Sequence, residues 1–153
     1  MNTNKKTKNT NASTTENNSS VFDKDEVFEF IDNGVREKNL DWDRKEVYKR
    51  LKKLAEKGDS YGQDLLGLLL SVGYGCEANP SEAFKWFTKA AEQGLANAQH
   101  ALGLHYYHGC VVQKNYEKAA YWLEKAADQG HEDAKMIALD INNHLSINLA
   151  LYD

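Results

Sequence analysis

The run Ala90-Ala91-Glu92-Gln93-Gly94 returns 36 residues later as Ala126-Ala127-Asp128-Gln129-Gly130. The same interval relates Leu66 to Leu102, Gly67 to Gly103, Gly73 to Gly109, Asn79 to Asn115, Ala83 to Ala119, Trp86 to Trp122 and Ala98 to Ala134. So many matches in one register define a repeat. A fixed period of this size belongs to chains that stack small helical or mixed units into a solenoid, because one unit alone cannot bury its apolar face. A fainter copy comes first: Leu54-Ala55-Glu56-Lys57-Gly58 aligns with the run above, Phe30 with Leu66, Val47 with Ala83 and Leu51 with Phe87. The chain therefore divides into a degenerate repeat over 25–60, good repeats over 61–96 and 97–132, and a partial capping repeat over 133–153.

Each unit reads as two helices. In the second good repeat the first helix is expected over about 95–108, with Ala98, Leu102, Gly103 and Tyr106 on one face at spacings of three or four. Gly109 ends it. The second helix is expected over about 115–129, with Ala119, Trp122, Leu123, Ala126 and Ala127 turned inward, Asn115 as its cap and Gly130 just past its end. In the preceding unit Pro80 follows Asn79, the place where an N1 proline fits. Trp86 and Trp122 are expected to fill the space between units. The first unit follows suit: Asp23 and Glu26 resemble a capping box, and Val27, Phe28, Ile31 and Val35 form a stripe behind it. Ala134, Ile137, Ala138 and Ile141 give a last amphipathic helix, whose polar Asp140, Asn142 and Asn143 suit a cap. The fold class is thus all-α, a short α-solenoid of stacked helix-turn-helix repeats with about seven helices.

Composition narrows the function. Lys and Arg number 19 and Asp and Glu 23, a net charge of -4 with no basic stripe, which argues against nucleic acid. No apolar run approaches the length that spans a membrane. Two cysteines are too few for a disulfide-built scaffold. Fourteen of residues 1–20 are Asn, Thr or Ser, so residues 1–22 read as a disordered polar tail ahead of a domain over 23–153. The tail lacks the apolar segment of a secretory signal, which makes the cytoplasm the expected compartment.

The string Leu102-Gly103-x-x-Tyr106-x-x-Gly109, followed by Ala119-x-x-Trp122 and Ala126-Ala127-x-x-Gly130, resembles the Sel1-like repeat, a relative of the tetratricopeptide repeat with a longer loop between its helices. The likeness is good over 61–135 and weak over 25–60. It departs at Leu70, which stands where Tyr106 stands in the next unit. It departs again at Val111, which takes the loop position of Gly75 and so predicts a different backbone there. The resemblance implies a protein-binding scaffold with no family-wide catalytic motif, in which the motif residues are core.

In such a solenoid a partner is expected on the concave surface lined by the first helices. Opposite the packing face lie Asn97, His100, Leu104, Tyr107 and His108. One period earlier the same positions are Tyr61, Asp64, Leu68, Ser71 and Val72, and one period later Asp133, Met136, Asp140, Asn143 and His144. The expected contact residues are Tyr61, Asp64, Leu68, His100, Leu104, Tyr107, His108, Asp140 and His144. Stacking predicts lateral pairs, with Asp64 beside His100, Leu68 beside Leu104, Ser71 beside Tyr107 and His108 beside His144. Leu68, Leu104 and Tyr107 have two readings, a groove for a peptide or helix with Tyr107 as anchor, or burial against a neighbouring helix.

Other constellations are weaker. His105, His108 and Cys110 are ligand types for zinc but lack a second spaced pair. Cys76 and Cys110 fall in adjacent loops, where a repeat spacing of about 10 Å exceeds the roughly 7 Å a disulfide tolerates. Ser71 and His108 lack a third catalytic member. No metal, cofactor or enzymatic activity is therefore expected. The leading function is a non-catalytic adaptor that binds another protein or peptide. Its specific version is an immunity-type protein that neutralises a toxin or effector, favoured by the net -6 of residues 21–153. An envelope-acting enzyme would need clustered groups of perturbed pKa, and a pure spacer would line its groove with Lys and Glu.

Overall fold

A computed structural model of the chain describes residues 44–152. The tail over 1–22 and the helix expected to carry Val27, Phe28, Ile31 and Val35 lie outside them. The described residues belong to one compact unit, Asn39–Asp153. They form six helices and no strands: α1 Arg44–Glu56, α2 Ser60–Val72, α3 Pro80–Glu92, α4 Ala96–His108, α5 Tyr116–Ala127 and α6 Glu132–Tyr152. Each packs chiefly on the helix before and the helix after it. This is the expected stack of helix pairs.

Local chemistry sets the boundaries. Asp59, Asn79 and Asn115 each accept a bond from the backbone N–H three residues on, at 2.8, 3.1 and 2.8 Å, and so start α2, α3 and α5. Pro80 occupies the first turn of α3, as expected. Gly73 and Gly109 close α2 and α4. Two starts differ: α4 begins at Leu95 with no side-chain cap, and at α6 His131 Nδ1 accepts from Ala134 N–H at 3.3 Å in place of a hydroxyl or carboxylate.

Two apolar clusters form the core. One joins Ala55, Leu66, Leu70, Ala83, Phe87, Ala90, Ala91, Ala98 and Leu102 across α1 to α4. The other joins Ala119, Leu123, Ala126, Ala134, Ala138 and Ile141 in α5 and α6. The repeated glycines explain how the helices approach. A Cβ on Gly67 would lie 2.8 Å from Phe87 Cε1, and one on Gly103 would run into Leu123. The first helix of each unit thus takes the large side chain of the second into a notch. Trp86 and Trp122, expected to fill the space between units, are only half-buried and lie under Lys89 and Lys125. Both still pack against the first core cluster, Trp122 from the second good repeat, while Phe87 and Leu123 fill the notch within each unit.

The loop expectation at Val111 is also corrected. Val111 adopts φ 67, close to the φ 74 of Gly75, so the two loops share a left-handed turn despite the β-branched side chain. Position 75 demands glycine for a second reason, since a Cβ there would strike the Arg44 carbonyl.

The last helix leaves the repeat pattern at several places. Counting on by one period, Lys135 replaces Gln99, Leu139 replaces Gly103, Asn142 replaces Tyr106 and Leu145 replaces Gly109. Without the terminating glycine, α6 continues for 21 residues where α2 and α4 have 13.

Candidate partner-binding surface

Charge is segregated between the two rows of helices. The first helices α2 and α4 hold no Lys or Arg, and Asp64 is their one formally charged residue besides histidines. The second helices α3 and α5 carry Glu82, Lys85, Lys89 and Glu92, and Glu117, Lys118, Glu124 and Lys125. A row of first helices with this composition is suited to apolar and hydrogen-bonding contact. Residues 44–152 contain 13 Lys and Arg and 13 Asp and Glu, so the excess negative charge expected to steer a basic partner lies outside the described helices.

On α2, Asp64, Leu68 and Val72 follow one another at four-residue intervals on one face. Leu68 is 52% exposed and Val72 67%. Asp64 is half-buried, and burial pushes its carboxyl up from the usual range to about 6. Tyr61, one turn earlier, lines a shallow depression with Leu95, Asn97, Gln93 and Gln129. Ser71 donates to the Leu68 carbonyl at 2.8 Å, so its hydroxyl is engaged within its own helix.

On α4 the expected residues divide. Leu104 is half-buried. His100 stacks on His131 with ring centroids 4.3 Å apart, and its buried Nε2 has no hydrogen-bond partner among the described residues. Burial first, then the neighbouring His131, lowers the His100 pKa. Tyr107 packs against the second core cluster and meets Tyr116 at 5.7 Å, so it follows the reading of burial against a neighbouring helix. It also lines a cavity of about 270 Å³ with Tyr116, Ile141, His144, Leu145 and Asn148. His108 is exposed and meets Tyr107 edge-on at 5.0 Å. On α6, Asp140 and His144 are exposed and 3.6 Å apart. Tyr107 thus touches His108 and shares a cavity with His144.

The weaker constellations resolve into packing. His105 is half-buried, meets Phe84 edge-on at 5.5 Å, and has Nδ1 3.4 Å from the Cys110 carbonyl oxygen. Its desolvation lowers its pKa. Cys76 and Cys110 are free thiols. Two contributors were absent from the sequence reading. His131 replaces Leu95 in register, a departure that pointed to it. Gln63 and Gln99 are 36 apart, as are Gln93 and Gln129, and that doubled period was the available signal.

Helix pairs stacked one on the next define a class, the helical-repeat scaffold. The Sel1 repeat matches residues 60–95 and 96–131, each one residue ahead of the division read from the sequence. The chain is a Sel1-repeat protein. It is similar to the Sel1 repeat protein from Oxalobacter formigenes, with 32% identity and a TM-score of 0.65 over 73% of this chain and 45% of that one. It is similar to a protective antigen of uropathogenic Escherichia coli that displays an SLR fold, with 30% identity and a TM-score of 0.64 over 72% of this chain and 24% of that one. The chain therefore spans less than half the length of either. Cysteine rich protein B of Helicobacter pylori shares the fold at 24% identity, with a TM-score of 0.64 over 73% of this chain and 80% of that one. A comparison with curated proteins gives no match. Among the described residues no helix is long and apolar enough to cross a membrane.

Proposed function

We propose that the row of first helices binds a protein or peptide segment, centred on Asp64 and Leu68 of α2 and extended by Tyr61, His100 and Leu104. Sel1-repeat proteins are generally interaction modules, and this chain follows that use. The observation that carries the reading is Asp64, a half-buried carboxylate whose ionised form is disfavoured by burial, beside the exposed Leu68 and Val72. A partner that brings a Lys or Arg to Asp64 and an apolar side chain to Leu68 satisfies both at once. Tyr107 serves mainly as packing in this reading, and His108, Asp140 and His144 form a polar rim. The immunity version remains a special case, in which the partner is a toxin or effector.

The test is capture from native lysate by the wild type and by Leu68→Glu and Asp64→Asn, each first checked for helicity by circular dichroism. A protein held by the wild type and lost by both folded variants supports the site. Equal capture by all three removes it from this face.

A further inference from the structure

The outer face of α6 is apolar at both ends and polar in the middle. Ala134, Ala138 and Ile141 are buried on one side of the helix, with Leu145 half-buried beside them. On the opposite side Met136 is 69% exposed, Leu139 53%, Ile147 58% and Leu151 74%. Asp140, Asn143 and His144, all exposed, lie between these apolar pairs. At 100° per residue these positions share one stripe that runs the length of the helix.

A helix of the α3 or α5 kind does not fit there. Those helices insert Phe87 and Leu123 into notches at Gly67 and Gly103. The same register position in α6 is Leu139, which fills the notch. What suits this face is a helix that meets it side chain to side chain, at the ordinary helix spacing of about 8–10 Å.

We propose that α6 pairs with α6 of a second copy of this chain, antiparallel, across a two-fold axis beside Asn143. The stripe is self-complementary under that operation, as an isologous interface requires. Met136 meets Ala150 and Leu151 of the second copy, Leu139 meets Ile147, and Asn143 meets itself. A buried Asn pair of this kind fixes register in paired helices. Asp140 falls within a turn of His144 from the other copy and on the same side of the pair, so the Asp140–His144 contact now made within one helix is shared between two. The four large apolar side chains expose on the order of 450 Å² per copy, so pairing removes roughly 900 Å² before flanking groups are counted, close to the 1,000 Å² at which specific interfaces begin.

The experiment is light scattering coupled to size exclusion, with sedimentation equilibrium, on the 153-residue chain up to about 200 μM. The chain mass is 17.3 kDa, so twice that value is expected at the upper concentrations. Leu139→Asp/Ile147→Asp, exposed positions that leave the core intact, should weaken association about 100-fold or more at unchanged helicity. In a Cys76→Ser/Cys110→Ser background, Asn143→Cys should oxidise to a covalent dimer, while Glu117→Cys on α5 should not. A monomer throughout the range overturns the proposal, even if another protein then binds the stripe. So does a dimer that persists in the double aspartate variant, or that cross-links equally through Glu117→Cys.

Discussion

Gln129 Nε2 donates to Gln99 Oε1 at 2.8 Å, and one repeat earlier Gln93 Nε2 makes the same bond to Gln63 Oε1 at 2.7 Å. Each inner glutamine passes its own amide proton backward, Gln99 to the Ala91 carbonyl and Gln63 to the Ala55 carbonyl, both at 3.2 Å. One buried side chain thereby ties the end of the previous second helix, its own helix, and the end of the second helix that follows. Buried amides are tolerated in a core when their partners are met.

Gln99→Leu should accordingly destabilise by about 2 kcal/mol, since it breaks two bonds, while the Ala91 carbonyl keeps the Gly94 N–H at 2.9 Å. Gln129→Ala, which removes only the outer member, should cost about 1 kcal/mol. Urea unfolding of the two variants checks this. Equal losses would mean that the bond from Gln99 to the Ala91 carbonyl adds nothing to the bond from Gln129.

Val111 holds a backbone conformation that disfavours β-branched residues by about 1–2 kcal/mol. Val111→Gly relieves it but gains freedom when unfolded, so a net stabilisation of about 0.5–1 kcal/mol is expected. Gly75→Val should do the reverse and more, at about 3 kcal/mol or above, because its side chain strikes the Arg44 carbonyl. Thermal melts that rank the two substitutions alike would count against the shared turn.

Leu123 is fully buried, whereas Trp122 is half-buried beneath Lys125. Leu123→Ala should cost about 3–5 kcal/mol, enough to bring a small domain near unfolding. Trp122→Ala should cost about 1–2 kcal/mol, mostly through lost contact area. The reversed order in a denaturant titration would place the tryptophan, and not the leucine, at the centre of the unit.

Stability should depend on pH through two groups of opposite sign. Asp64 titrates near 6 when folded against 3.8 in its unperturbed state, so the folded chain holds the extra proton between those values. Stability from this group therefore falls as pH rises from 3.8 towards 6, and Asp64→Asn should stabilise at pH 7 by on the order of 2 kcal/mol. His100 is shifted downward from 6.5, so the unfolded chain binds the proton first and stability falls as pH drops below 6.5. Melting curves from pH 4 to 8 for the wild type, Asp64→Asn and His100→Phe separate the two. A wild-type slope unchanged by either substitution would sink both assignments.

The fold was legible because its determinants repeat. Period, caps and terminating glycines all recur at 36 residues, and each agrees with the others. Phase along the helices was less reliable. Trp122 and Leu123 both belong to the inward face by phase, but two adjacent residues on a helix differ by 100°, and only Leu123 is fully buried. Tyr107 lies opposite the packing face by phase, yet a solenoid helix also packs sideways, and Tyr107 is half-buried against Tyr116 and the second core cluster. The same phase argument put Leu68 on an open face, and there it is exposed. The partner's chemistry was not legible, because net charge is a sum, and the acidic excess sits apart from the described helices.

The packing of each helix on its sequence neighbours has a mechanical consequence. No staple among the described helices joins the first to the last, and the glutamine bonds reach only 30 residues along the chain. Tension applied at the two ends therefore loads the boundaries between units one after another, and the array should peel rather than snap. Extension traces should show two or more small steps, the first from the α6 end, where Lys135 stands in the glutamine's place and the clamp is missing.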